Sequence, residues 1–131
     1  MKPLKFAVVG GGPGGLYFSI LMKKANPACE ITVYERNRAD DTFGFGVVFS
    51  DETLGNFEVR DKESYEAITN AFIYWGEIDT HVKGQVIRSG GHGFCGLGRR
   101  KLLLILQDRA RDLGVKLNFS SDVTDLSTFA D

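Results

Sequence analysis

Residues 6–35 read FAVVGGGPGGLYFSILMKKANPACEITVYE, and the rest of the chain is organised around this stretch. A short apolar run, Phe6 to Val9, is followed by Gly10-Gly11-Gly12-Pro13-Gly14-Gly15, then an apolar helical segment, then Ile31 to Tyr34 and the acid Glu35. Gly10, Gly12 and Gly15 satisfy G-x-G-x-x-G in the strand–turn–helix context that gives the pattern meaning. The first glycine permits the turn out of the strand, the second lets a pyrophosphate approach the backbone, and the third lets helix and strand pack closely. Pro13, Gly14 and Leu16 open a helix whose free N–H groups and partial positive charge face that pyrophosphate. Glu35 follows Gly15 by twenty residues, the spacing at which an acid accepts hydrogen bonds from a ribose. The reading is a dinucleotide-binding βαβ unit.

Composition sets outer limits. The chain has 131 residues, 43% of them hydrophobic, enough for one domain with a real core. A net charge of −1 implies no affinity for nucleic acid or an anionic membrane. No stretch approaches membrane-spanning length, and the apolar run after Lys2 and Lys5 is too short for a secretion signal. Cys29 and Cys95 are far apart and match no metal or redox spacing, so both are expected as free thiols in a cytoplasmic protein, with no metal bound.

Along the chain, Leu4–Val9 is expected to be a central strand covered on both faces. The helix after it, about Gly14 to Ala25, is apolar enough to be buried on more than one side. Val47 to Phe49 is a short extended segment, and Ser50 and Asp61 are N-caps of two helices. In the second, Tyr65, Ile68, Phe72 and Trp75 recur at helical spacing. Ile78–Lys83 and Gln85–Ser89 form an antiparallel hairpin around Gly84. Five glycines between Gly90 and Gly98 argue against a regular element there. Arg99–Leu113 is an amphipathic helix closed by Gly114, and Val115–Phe119 is a third parallel strand. The expected fold is α/β: a Rossmann-like βαβ dinucleotide fold with a parallel sheet, incomplete at three strands, plus a small antiparallel hairpin. Residues 1–131 are taken as one domain, the N-terminal portion of a longer protein.

The first βαβ unit alone does not separate NAD from FAD. The long glycine-aromatic segment after the second strand, and Arg99 opening a helix after a glycine-rich approach, suit the longer flavin cofactor. The segments VVGGGPGGL, VYERN, DDTFGFGVVFSDETL and RSGGHGFCGLGRRKLL together resemble the FAD-dependent aromatic monooxygenases of the single-component type related to p-hydroxybenzoate hydroxylase. Within that family the likeness is greatest to the salicylyl-CoA and 2-aminobenzoyl-CoA hydroxylases. The resemblance implies an enzyme that uses NAD(P)H and O2 to hydroxylate a small aromatic or aromatic-CoA substrate, with the flavin supplying the chemistry and the protein supplying position and dryness.

It also implies site residues. Gly10, Gly12, Pro13, Gly14, Gly15 and Leu16 would line the pyrophosphate, and Glu35 would hold the adenosine ribose with Arg36 beside the adenine. Gly44, Gly46, Val47 and Val48 would run along the flavin, Arg99 would reach the ribityl-pyrophosphate, and the backbone of Val123 would meet the adenine. The family's later Asp-Gly and Gly-Asp motifs do not occur within residues 1–131, so hydroxylation by this chain alone is not expected. No catalytic side chain is identified. His92 is either a flavin or substrate neighbour or a hydrogen-bonded loop residue, and His81 is a surface residue. Two other functions compete: an NAD-binding dehydrogenase domain, and a non-catalytic nucleotide-binding module.

Overall fold

The computed structural model describes residues 2–130 and divides into two compact units: one of the described residues up to Gly44 and from Arg99 onward, the other Phe45–Gly98.

The first unit is a parallel sheet with helices. Strand β1 (Lys5–Val9) leads through the glycine turn into helix α1 (Pro13–Ala25), and the chain returns as β2 (Glu30–Tyr34). Helix α4 (Arg99–Asp112) precedes β8 (Lys116–Asn118). The strand order is β1-β2-β8, parallel throughout, with Val8 beside Val33 and Val33 beside Leu117. The centre of the sheet is therefore β2, where Ile31 and Val33 are buried, and not β1 as the apolar run predicts. Among the described residues β1 pairs with β2 alone, and Leu4 and Val9 are more than half exposed.

Helix α1 also buries less than expected. Leu16, Ser19 and Ile20 form one inward stripe, while Phe18 stays 48% exposed. One helical stripe is what a single neighbouring layer can cover, and α1 packs on β1, β2 and α4. Pro13 at the first helical position wastes no hydrogen bond. At the other end Lys23 donates to the carbonyls of Pro27 and Cys29, as a cation at a helix C-terminus should. On α4, Leu102, Leu103, Leu106 and Ala110 are buried, and Gly114 ends the helix at φ +88°, a left-handed C′ position.

The second unit holds two antiparallel sheets and two helices. Strand β3 (Gly46–Ser50) runs into α2 (Asp51–Arg60), then α3 (Lys62–Thr69), β4 (Ile73–Trp75), β5 (Ile78–Val82), β6 (Gln85–Ser89) and β7 (Phe94–Gly98). Both expected caps form: Ser50 Oγ accepts from the Thr53 amide at 3.3 Å, and Asp61 accepts from the Ser64 amide at 3.2 Å and from the Ser64 hydroxyl. The β5–β6 hairpin turns at Lys83 and Gly84, both at positive φ, as a two-residue primed turn requires.

Two expectations fail here. The helix of the aromatic stripe stops at Thr69, and Trp75 belongs to strand β4. The run Phe72-Ile73-Tyr74-Trp75 is strongly strand-forming, and pairing with β7 outweighs the helical spacing. Nor does the glycine-rich stretch stay irregular throughout: residues 90–93 form no regular element, but Phe94–Gly98 is β7, in the middle of the sheet β3-β7-β4. Gly96 on β7 and Gly46 on β3 are there for closeness. A Cβ on Gly96 would stand 3.2 Å from the Trp75 ring, and one on Gly46, opposite Gly98, would stand 3.1 Å from the Leu97 carbonyl.

Asp61 is fully buried and caps α3, so its removal leaves buried donors unpaired. Asp61→Ala is expected to destabilise the protein by about 2 kcal/mol, the upper range for a lost cap, read as a lower urea midpoint at unchanged slope. An unchanged midpoint would show the cap to be dispensable.

Candidate dinucleotide site

The glycine turn has the three properties that the sequence assigns to it. Gly10 sits at φ +108°, outside the range comfortable for a side chain. A Cβ on Gly12 would meet nothing within 4 Å, so the backbone there is open. A Cβ on Gly15 would stand 2.1 Å from the Gly10 carbonyl oxygen, so only glycine lets α1 lie this close to the turn. Gly12 caps α1 without a side-chain hydrogen bond, and the first turn carries no acid. The amides at that terminus keep their affinity for an external anion.

Glu35 faces this turn. One carboxylate oxygen accepts from the Gly11 amide at 2.7 Å, and the other accepts from the Asn37 amide at 2.9 Å. The side chain is half-buried and oriented by two charge-assisted bonds. A carboxylate has about four acceptor positions, so two remain for a ligand. Gly11, outside the fingerprint, is also constrained, though less than Gly15: a Cβ there would stand 2.9 Å from the Glu35 Cβ, a side-chain rather than a backbone atom.

Two cavities meet at Glu35. One, of about 110 Å3, is lined by Gly11, Gly12, Arg38, Thr42, Arg99 and Gln107, among others. The other, of about 400 Å3, is lined by Gly10, Tyr34, Arg36, Ser121, Asp122 and Val123, among others. Glu35, Asn37 and Phe43 line both. Arg99 is half-buried, and among the described residues no carboxylate pairs with it. A guanidinium so placed beside a glycine turn is suited to an anionic oxygen. Arg36 is exposed at the rim of the larger cavity. The loop from Asn37 to Phe43 is held to α4 by Gln107 Nε2, which donates to the Ala39 carbonyl at 2.9 Å, and by Arg100, 3.7 Å from Asp40.

The structure thus gathers Gly10, Gly12, Glu35, Arg36, Arg99 and Val123 around one crevice, with Pro13, Gly14, Gly15 and Leu16 forming the first turn of α1 beside it. Gly44 belongs to the same unit at φ +87°. Gly46, Val47 and Val48 belong to β3 of the second unit, where they line an apolar groove of about 400 Å3 with Phe45, Ile73 and Trp75. In that unit His92 is a hydrogen-bonded loop residue, 2.8 Å from Ser89 Oγ and stacked on Phe94, and His81 is exposed. Cys95 is buried between neighbouring strands, and burial raises its thiol pKa, so it stays protonated. Gln107 and Asn37 line the smaller cavity but are not among the site residues expected from the sequence. The signal for Gln107 was present, an amide on the apolar stripe of α4 four residues after Leu103.

No protein-family model matches the chain. A salicyloyl-CoA 5-hydroxylase from a Streptomyces species is 46% identical over 122 residues, which is 93% of this chain and 24% of that protein. A protodeoxyviolaceinate monooxygenase from Chromobacterium violaceum is 29% identical over 121 residues, 90% of this chain and 32% of its own. Among solved structures, a tetrameric form of 2-methyl-3-hydroxypyridine-5-carboxylic acid oxygenase superposes with a TM-score of 0.80 at 22% identity, over 93% of this chain and 33% of that one. The chain spans about a quarter to a third of the length of these proteins. Among the described residues no helix is long and apolar enough to cross a membrane.

Proposed function

We propose, from the premise that this chain is a homologue of aromatic hydroxylases and monooxygenases, that residues 1–131 are the FAD-binding portion of such an enzyme. The observation that carries the reading is the crevice itself: an open Gly12 backbone, a helix start with no side-chain cap, an Arg99 that has no carboxylate partner among the described residues and an oriented Glu35 carboxylate on one rim. These groups fit a dinucleotide. The amides at the start of α1 and the Arg99 guanidinium hold the pyrophosphate. Glu35 accepts from the adenosine ribose. Arg36 and the backbone at Val123 flank the adenine in the larger cavity. Gly44, Gly46, Val47 and Val48 we assign to the flavin half.

When bound, FAD reduced by NAD(P)H would activate O2 for transfer to an electron-rich ring. The chain's own residues bind and orient; none within 1–131 is assigned a proton transfer. We infer an aromatic substrate, with a CoA thioester as the favoured carrier because the relative at 46% identity is named for one. Two buried free thiols suit a reducing compartment, and we place the protein in the cytoplasm.

The reading is tested by reconstitution. The purified chain, incubated with FAD and desalted, is expected to retain flavin absorption bands, and calorimetry is expected to show tighter binding of FAD than of NADH. Tighter binding of NADH would favour a dehydrogenase domain. Binding of neither would end the proposal.

A further inference from the structure

We propose that Gln107 and Thr42 read the sugar hydroxyls of the bound nucleotide and so make the site selective for an intact ribose diol. The inference rests on the nucleotide reading of the same crevice and deepens it. Gln107 is only 2% exposed and lines the smaller cavity together with Glu35, Gly11 and Gly12. Its amide nitrogen is committed to the Ala39 carbonyl, which fixes the orientation of the group. That leaves Oε1 as a buried acceptor with no hydrogen-bond partner among the described residues, and Thr42 Oγ1, on the same cavity, is a second buried polar atom in the same state. Buried polar atoms without partners are uncommon in folded proteins, and two on one small cavity mark a place where a partner is supplied from outside.

The chemistry of the orphaned atoms selects the partner. Gln107 Oε1 only accepts, so it needs an O–H or N–H donor. Phosphate oxygens at neutral pH offer none. The adenine amino group is assigned to the larger cavity, on the Arg36 and Val123 side of Glu35. What remains beside Glu35 and the glycine turn is the ribose. Its hydroxyls donate to Glu35 and Gln107, and Thr42, which both donates and accepts, completes the set. Two hydroxyls are thus read by Glu35 just after β2, by Gln107 on α4 and by Thr42 on the loop that follows Glu35, which one acid alone would not distinguish.

The test is calorimetric titration of the full chain with ADP, 2′-deoxy-ADP and 3′-deoxy-ADP, with circular dichroism to verify folding. Removing a recognised hydroxyl is expected to weaken binding to the unmodified chain about tenfold, the ordinary value of one hydrogen bond in a buried site. In Gln107→Met at least one of these two penalties should fall to about threefold or less, while the other persists through Glu35. Thr42→Val, nearly isosteric and on a loop, should reduce a penalty in the same way, and it decides the matter if Gln107→Met does not fold. Both variants keeping both penalties would overturn the inference, and would assign Gln107 to bracing the Ala39 loop while a trapped water satisfies its oxygen. The nucleotide reading would survive that result, because the unmodified chain would still bind ADP. No ADP binding by the unmodified chain would remove both.

Discussion

Gly15→Ala is expected to lower stability by about 3 kcal/mol, the upper end for overpacking, and to abolish nucleotide binding. The added methyl carbon would stand 2.1 Å from the Gly10 carbonyl oxygen and 3.2 Å from its carbon, and both atoms are backbone. No rotamer change relieves such a contact. Either α1 lifts from the strand, exposing Leu16 and Ile20, or the turn at Gly10 distorts. A loss of this size is a large part of the total stability of an ordinary domain, about 5–15 kcal/mol.

The companion variant sharpens the result. Gly12→Ala adds its methyl where nothing lies within 4 Å, at an ordinary φ of −74°. Its stability should stay within about 0.5 kcal/mol of the unmodified chain. Its methyl nevertheless occupies the path of a pyrophosphate, and affinity for ADP or FAD should fall at least tenfold, about 1.4 kcal/mol. Urea denaturation and calorimetry on the pair separate packing from approach. If Gly15→Ala melts like the unmodified chain, the close contact of helix and turn does not exist in solution.

Glu35→Gln carries the second large effect. Both carboxylate oxygens accept from backbone N–H groups, Gly11 on one side and Asn37 on the other. A glutamine amide offers one acceptor oxygen and one NH2, so whichever way it turns, a donor faces a donor. The turn or the loop after β2 then loses its anchor. Each charge-assisted bond contributes about 1.5–3 kcal/mol, so a destabilisation of about 2 kcal/mol is expected. Affinity for ADP should fall further, by about a hundredfold, because the ribose loses an anionic acceptor and the turn that presents Gly12 loosens. Melting followed by fluorescence, with calorimetry beside it, measures both. Unchanged ADP affinity would show that Glu35 serves the turn alone.

The difference between what was readable in residue order and what was not follows from the range of the forces involved. A positive φ at Gly10, the missing Cβ at Gly15, the caps at Ser50 and Asp61 and the primed turn at Lys83-Gly84 are local demands, met within a few residues. So is the βαβ period that carries Glu35 to the end of β2, beside the turn. These were legible because a local conformational requirement restricts which residue types occupy a position.

The placing of β1 outside β2, the passage of Phe72 to Trp75 from helix to strand, and the ordering of a glycine-rich run into β7 depend on partners far along the chain. There, strand pairing and the seating of Trp75 on Gly96 outweigh local propensity. Gln107 belongs with these. Its place on α4 was evident from periodicity, but only the packing of a loop 68 residues away occupies its nitrogen and leaves its oxygen bare.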